Sequence, residues 1–133
     1  MLTAPNEINH LKANEVFVFG SNEAGRHGKG AALIAKKQFG AKAGQGYGVQ
    51  GSCFAIPTKN GKLETLKLTT IAAYVNKFIA YANTHPEKDF LVTRIGCGLA
   101  GYKEIEIAPL FKDAINSKNI FLPITFTKIL GTL

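Results

Sequence analysis

The sequence predicts an α/β domain whose central, mostly parallel sheet is covered by helices on both faces. Short β-branched and aromatic runs alternate along the chain with amphipathic segments at helical spacing. Two of these runs lead directly into glycine-rich loops that open helices, the order expected of parallel crossover units. With 133 residues, 46% of them hydrophobic and 19% charged, the chain can bury a core without disulfide staples and is neither disordered nor collagen-like.

Glu15 to Phe19, EVFVF, reads as a buried strand ended by Gly20, and GSNEAGRHGKG follows as a loop. AALIAKKQFG, from Gly30, reads as a helix with Gly40 as its stop. After a glycine-rich connection through Gly51, SCFAIP is a second strand and TKNGKLETLKL is polar turn material. Ile71, Tyr74, Val75, Phe78, Ile79 and Ala82 recur at helical spacing, with Thr69 or Thr70 as the cap and Pro86 as a barrier to extension. Phe90 to Ile95 is a third strand, GCGLAGY a loop, and Lys103 to Asn116 a helix interrupted in its pattern by Pro109. Asn119 to Leu122 closes the sheet, and ITFTKILGTL is a further strand or a loose tail. No repeat or linker divides the chain, so residues 1–133 read as one domain, with 1–14 an N-terminal extension and 15–122 the core.

A net charge of +7 favours encounter with polyanions by electrostatic steering. The basic residues are dispersed, however, and the densest group, Lys29, Lys36, Lys37 and Lys42, suits a solvated helix face. No interleaved aromatic platform accompanies them, so sequence-specific nucleic-acid binding is not expected. Cys53 and Cys97 show no repeated spacing, which points to a reducing, cytoplasmic setting. The opening MLTAPNEINH lacks the pattern of an export signal, and no apolar run approaches the roughly 20 residues of a membrane span. His10, His27 and His85 are scattered without cysteine or carboxylate partners, so neither a metal site nor a cofactor is expected.

The two glycine loops carry the chemistry. Gly25, Gly28 and Gly30 strip side chains from the backbone as it enters a helix whose first amides are unpaired, an arrangement that receives phosphate and otherwise serves as a tight turn. A P-loop is excluded, because Glu23 stands where a glycine is needed and Gly30, not a hydroxyl residue, follows Lys29. Gly96, Gly98 and Gly101 match a dinucleotide fingerprint literally, but no acidic residue stands near position 120 to hold a ribose.

RHGKGAALIAKKQFG, Arg26 to Gly40, and RIGCGLAGY, Arg94 to Tyr102, resemble the two ligand loops of macro domains. The resemblance extends over about residues 15–122 and is greatest to the branch of the terminal ADP-ribose protein glycohydrolase and the bacterial DNA ADP-ribosyl glycohydrolase antitoxins. It implies a three-layer α/β/α macro-type fold with a mostly parallel mixed sheet. It also implies a ligand, ADP-ribose or an ADP-ribosylated macromolecule. By the same resemblance Gly28, Gly30 and Ala31 belong to the first binding loop. Gly96, Cys97, Gly98, Leu99, Ala100, Gly101 and Tyr102 belong to the second, and Asn22 lies near the distal ribose or is a turn residue.

The departures bear on activity. Residues 1–14 contain no glycine-aspartate-isoleucine segment, which in macro domains reads adenine, and Ala100 stands where the protein glycohydrolase branch carries an aspartate. No aspartate occurs among Gly28 to Leu33 either. That branch has a catalytic lysine in mid-chain, and Lys59 matches its place, with a solvated turn residue as the plainer alternative. Cys97 has no recognisable histidine partner and reads as a small packed residue rather than a nucleophile. Two functions follow from the resemblance: an ADP-ribosyl hydrolase using Lys59, or a reader that binds ADP-ribose without chemistry.

Overall fold

The computed structural model describes residues 1–132. Its strands are β1 (Leu2–Ala4), β2 (Glu15–Asn22), β3 (Gly48–Gln50), β4 (Cys53–Lys59), β5 (Asp89–Val92) and β6 (Ile120–Pro123). Its helices are α1 (Gly30–Gln38), α2 (Leu68–Asn83), α3 (Glu104–Ile107) and α4 (Ile124–Leu130), with a 3-10 stretch over Ala108–Ala114. The sheet order is β1-β6-β5-β2-β4-β3, and every neighbouring pair is parallel except β3 with β4.

The period-two geometry of a strand sorts its side chains between two cores. Val16 and Val18 of β2, with Phe54 and Ile56 of β4, face α2, α3, the 3-10 stretch and α4. Phe17 and Phe19, with Cys53 and Ala55, face Ala32 and Ala35 of α1. Burial on both faces explains why Val16 to Phe19 read as an unbroken apolar run.

Helix α1 stops where the sequence places Gly40, whose φ of +85° lets Ala41 N–H return to the Ala35 carbonyl at 3.1 Å. Helix α2 begins at Leu68 after Lys67, and no side chain caps it, so the expected threonine cap is not used. Its other end is closed from a distance: the buried Asn119 amide donates to the carbonyls of Ala82, His85 and Lys88.

Several expectations are corrected. Leu2–Ala4, assigned to an extension, is an edge strand paired with β6. The glycine-rich connection before Gly51 holds β3, which folds back on β4. β5 ends at Val92, because Thr93 turns its hydroxyl back to the Val18 carbonyl at 2.8 Å. The helix expected over 103–116 is one turn of α3 followed by the 3-10 stretch, with Pro109 in the first turn of the latter. Ile124–Leu130 is helical, since Phe126 and Leu130, one helical turn apart, both reach the core.

The larger core centres on Phe78, fully buried, with Phe54 at 5.1 Å and Phe90 at 5.6 Å edge-on to it. Phe78→Ala is expected to lower the free energy of unfolding by about 3–5 kcal/mol, measured by urea denaturation.

Candidate functional site

β2 pairs with β5 only as far as Val18 but with β4 as far as Asn22, and its register with β4 shifts between Ser21 and Asn22. The chain must leave the sheet there. The segments after β1, β2, β4 and β5 together enclose a cleft of about 1040 Å³, slightly above the range of about 300–1,000 Å³ common for small-molecule sites. Gly20, Ser21 and Thr58 of the sheet line it, as does Thr93 just beyond β5.

The first loop is folded by Asn22. Its side chain accepts the Arg26 N–H at 2.9 Å and donates to the Arg26 carbonyl at 2.8 Å. Asn22 is thus a turn residue and a cleft residue at once. The loop also presses on the turn before β3. A Cβ on Gly25 would lie 2.3 Å from Gln45 N, and one on Gly46 would lie 2.2 Å from the Asn22 carbonyl, so neither position admits a side chain.

Beneath the loop, buried His27 packs edge-on against Phe19 with ring centroids 5.3 Å apart. Its Nε2 lies 3.2 Å from both the Gln45 carbonyl and Gln50 Oε1; both are acceptors, so Nε2 carries the hydrogen. Gln50 also accepts the Lys42 N–H at 2.8 Å, joining the loop support to β3. Glu23, at the outer edge of the loop, accepts the Tyr74 hydroxyl at 2.5 Å. That hydrogen bond, followed by burial, pushes the Tyr74 hydroxyl up to about 12.

Gly28, Lys29, Gly30, Ala31 and Ala32 bring the start of α1 to the cleft. No side chain caps this helix and no acidic residue occupies its first turn, so its leading amides remain open to an anion. Opposite stand Gly96, Cys97, Gly98, Leu99 and Ala100 of the second loop. Gly101 and Tyr102 lie behind the cleft wall: Gly101 N–H closes onto Gly98, and the Tyr102 hydroxyl donates to the Leu66 carbonyl at 2.6 Å. Burial, reinforced by the Glu104 carboxylate, pushes the Cys97 thiol up to about 11, so at neutral pH it is a protonated packing group.

Lys59 is the last residue of β4, opposite Asn22 in register, and it lines the cleft. Beyond it the chain forms a hairpin in which Asn60 Oδ1 accepts the N–H groups of Lys62 and Glu64 at 2.9 and 3.0 Å. Thr65 then donates to the Ala100 carbonyl at 2.9 Å, tying this hairpin to the second loop. Leu63 in the hairpin has a φ of 64°, alone among the described non-glycine residues, a conformation that costs a side-chain-bearing residue about 1–2 kcal/mol.

Several cleft residues escaped sequence reasoning. Asn6, Glu7, Ile8 and Asn9 line one end, although their segment was assigned outside the core. Arg26, Lys29 and Arg94 join Lys59 on the walls, against the single carboxylate of Glu7; Arg94 is also paired with Glu104. Among the described residues no cluster of three metal-ligating side chains occurs, and no helix is long and apolar enough to cross a membrane.

No family model and no curated protein matches this sequence. Solved structures do match it. A macrodomain protein from Streptomyces coelicolor superposes with a TM-score of 0.60 at 15% identity, covering 92% of this chain and 97% of the other. The fold is a macro-domain fold. A protein of unknown function from Bacteroides thetaiotaomicron has the same architecture, with a TM-score of 0.62 at 17% identity over 91% of this chain and 96% of its own. In this macro-type fold the cleft occupies the carboxyl end of the parallel strands.

The second-loop glycines differ in what surrounds them. Gly96 has a φ of +78°, and a Cβ there would lie 2.8 Å from Ile107 Cδ1, whereas a Cβ on Gly98 meets nothing within 4 Å. Gly96→Ala is expected to lower stability by about 1–3 kcal/mol. Gly98→Ala should stay within about 0.5 kcal/mol of the wild type, both read by chemical denaturation.

Proposed function

We propose that the cleft binds ADP-ribose or an ADP-ribosyl group. The observation that carries this reading is the pairing of an uncapped helix start with a glycine loop across a cleft walled by four cationic side chains. A diphosphate satisfies open amides and cations together. The first-loop residues Gly28, Gly30 and Ala31 would face it from one side, and Gly96 to Ala100 from the other. The base belongs at the end formed by Asn6, Glu7, Ile8 and Asn9, where the Glu7 carboxylate can accept an exocyclic amine and Ile8 can cover a ring face. The terminal ribose then lies toward Asn22 and Lys59.

Isothermal titration of the wild type with ADP-ribose tests this reading. Binding should be measurable and should weaken at least about tenfold, or about 1.4 kcal/mol, in Gly98→Val while the melting temperature is retained. Absence of heat with folded wild-type protein would remove the ligand assignment.

A second reading adds hydrolysis and rests on Lys59, which lies across from Asn22 in register and lines the cleft. The Lys59 amine can add to the anomeric carbon while the ring C–O bond breaks, one amine proton passing to the ring oxygen and the other leaving with the attached group, which gives an open-chain imine. Water then hydrolyses the imine, returning the amine and free ADP-ribose. Lys59→Ala should retain ADP-ribose binding and lose at least about 100-fold in turnover on substrates modified at a carboxylate or a nucleobase. Reduction with cyanoborohydride should trap the sugar on wild-type protein alone. If neither substrate is turned over by the wild type, the chain is a reader.

A further inference from the structure

Leu63 stands in a place that neither burial nor turn chemistry explains. It is 46% exposed, lies on the cleft, and holds a φ of 64°. The turn itself is specified by Asn60, whose side chain accepts two N–H groups and whose carbonyl accepts the Leu63 N–H at 3.0 Å. Glycine or asparagine would serve that position with less strain. Side chains kept in such conformations concentrate at ligand sites.

The surroundings give the direction of the contact. Lys59 pairs with Thr65 across the base of the hairpin, and Thr65 and Leu66 are both bonded to the second loop, so the hairpin is a fixed wall. Leu99 of that loop, also on the cleft, is 63% exposed. Segment 6–9 forms the other end, reaching the α1 side of the sheet through Ile8, so the hairpin wall is the one beside Lys59.

We infer that Leu63 is a specificity-determining residue of the cleft, whose side chain packs against the carbon-bound hydrogens of the ligand's terminal pentose. The inference rests on the ADP-ribose reading and goes beyond it by assigning the β4 hairpin to one part of the ligand. The interaction is apolar and shape-dependent, so it distinguishes a ligand with the terminal sugar from one lacking it.

The test is titration of wild type, Leu63→Gly and Leu63→Asn with ADP-ribose and with ADP, together with thermal melts. Both variants should bind ADP-ribose roughly five- to tenfold more weakly, the scale of a lost apolar contact. ADP affinity should stay within about twofold of wild type and the melting temperature within about 4 °C, since relief of backbone strain offsets the lost side chain. Unchanged ADP-ribose affinity in both variants overturns the inference, as does an equal loss for ADP and ADP-ribose. A fall of more than about 10 °C in both melts assigns Leu63 to the fold instead. Wild-type protein that binds no ADP-ribose overturns the underlying reading and this inference with it, an outcome visible before any variant is made.

Discussion

The architecture depends on the position of β2, paired in parallel with β4 on one side and β5 on the other and buried on both faces. A parallel strand cannot turn back on itself, so each of these three strands releases its chain at the same end of the sheet. The first loop, the β4 hairpin and the second loop therefore emerge side by side. The cleft is the space that three neighbouring exits cannot fill, and glycine keeps the backbone on its walls accessible.

A loop poor in side chains cannot build its own core. Here the support comes from the other face: His27 reaches down to Phe19, and Gln50 links it to the backbone of Lys42 and Gln45. The close approaches at Gly25 and Gly46 serve the same support. The glycines of this protein thus divide by task. Gly25, Gly46 and Gly96 let backbone or core pack closely, whereas Gly28 and Gly98 have open space beside them on the cleft. Spacing within the motif does not separate these tasks.

Local signals made the central elements legible. The apolar runs at Glu15–Phe19 and Phe90–Ile95, the helical spacing of Ile71 to Ala82 and the stop at Gly40 all act over short distances; the elements formed there, although β2 runs on past Gly20 to Asn22 and β5 stops at Val92. What escaped depends on distant partners. Leu2–Ala4 has no strand signature until β6 lies beside it, and Gly48–Gln50 becomes a strand only by covering the edge of β4. Likewise Asn6 to Asn9 carry no motif; the turn after β1 brings them to the cleft. The two glycine loops were visible because their glycines are close together in the chain. The cationic walls were legible only at Lys59, because Arg26 and Arg94 join it from the segments after β2 and β5.

The pairing of β1 with β6 also sets an order of events. Leu2 can find Phe121 only after nearly all of the intervening chain has been made, so this contact has among the highest sequence separations available to the molecule. During synthesis the β2–β4 pair and the loop leaving β2 can assemble while the first residues are still unattached. The wall formed by Asn6 to Asn9 leads out of β1, with Ile8 packed against the α1-side core. A nascent chain would therefore close the β1 edge of its sheet last, and the complete cleft would mark completion of the sheet.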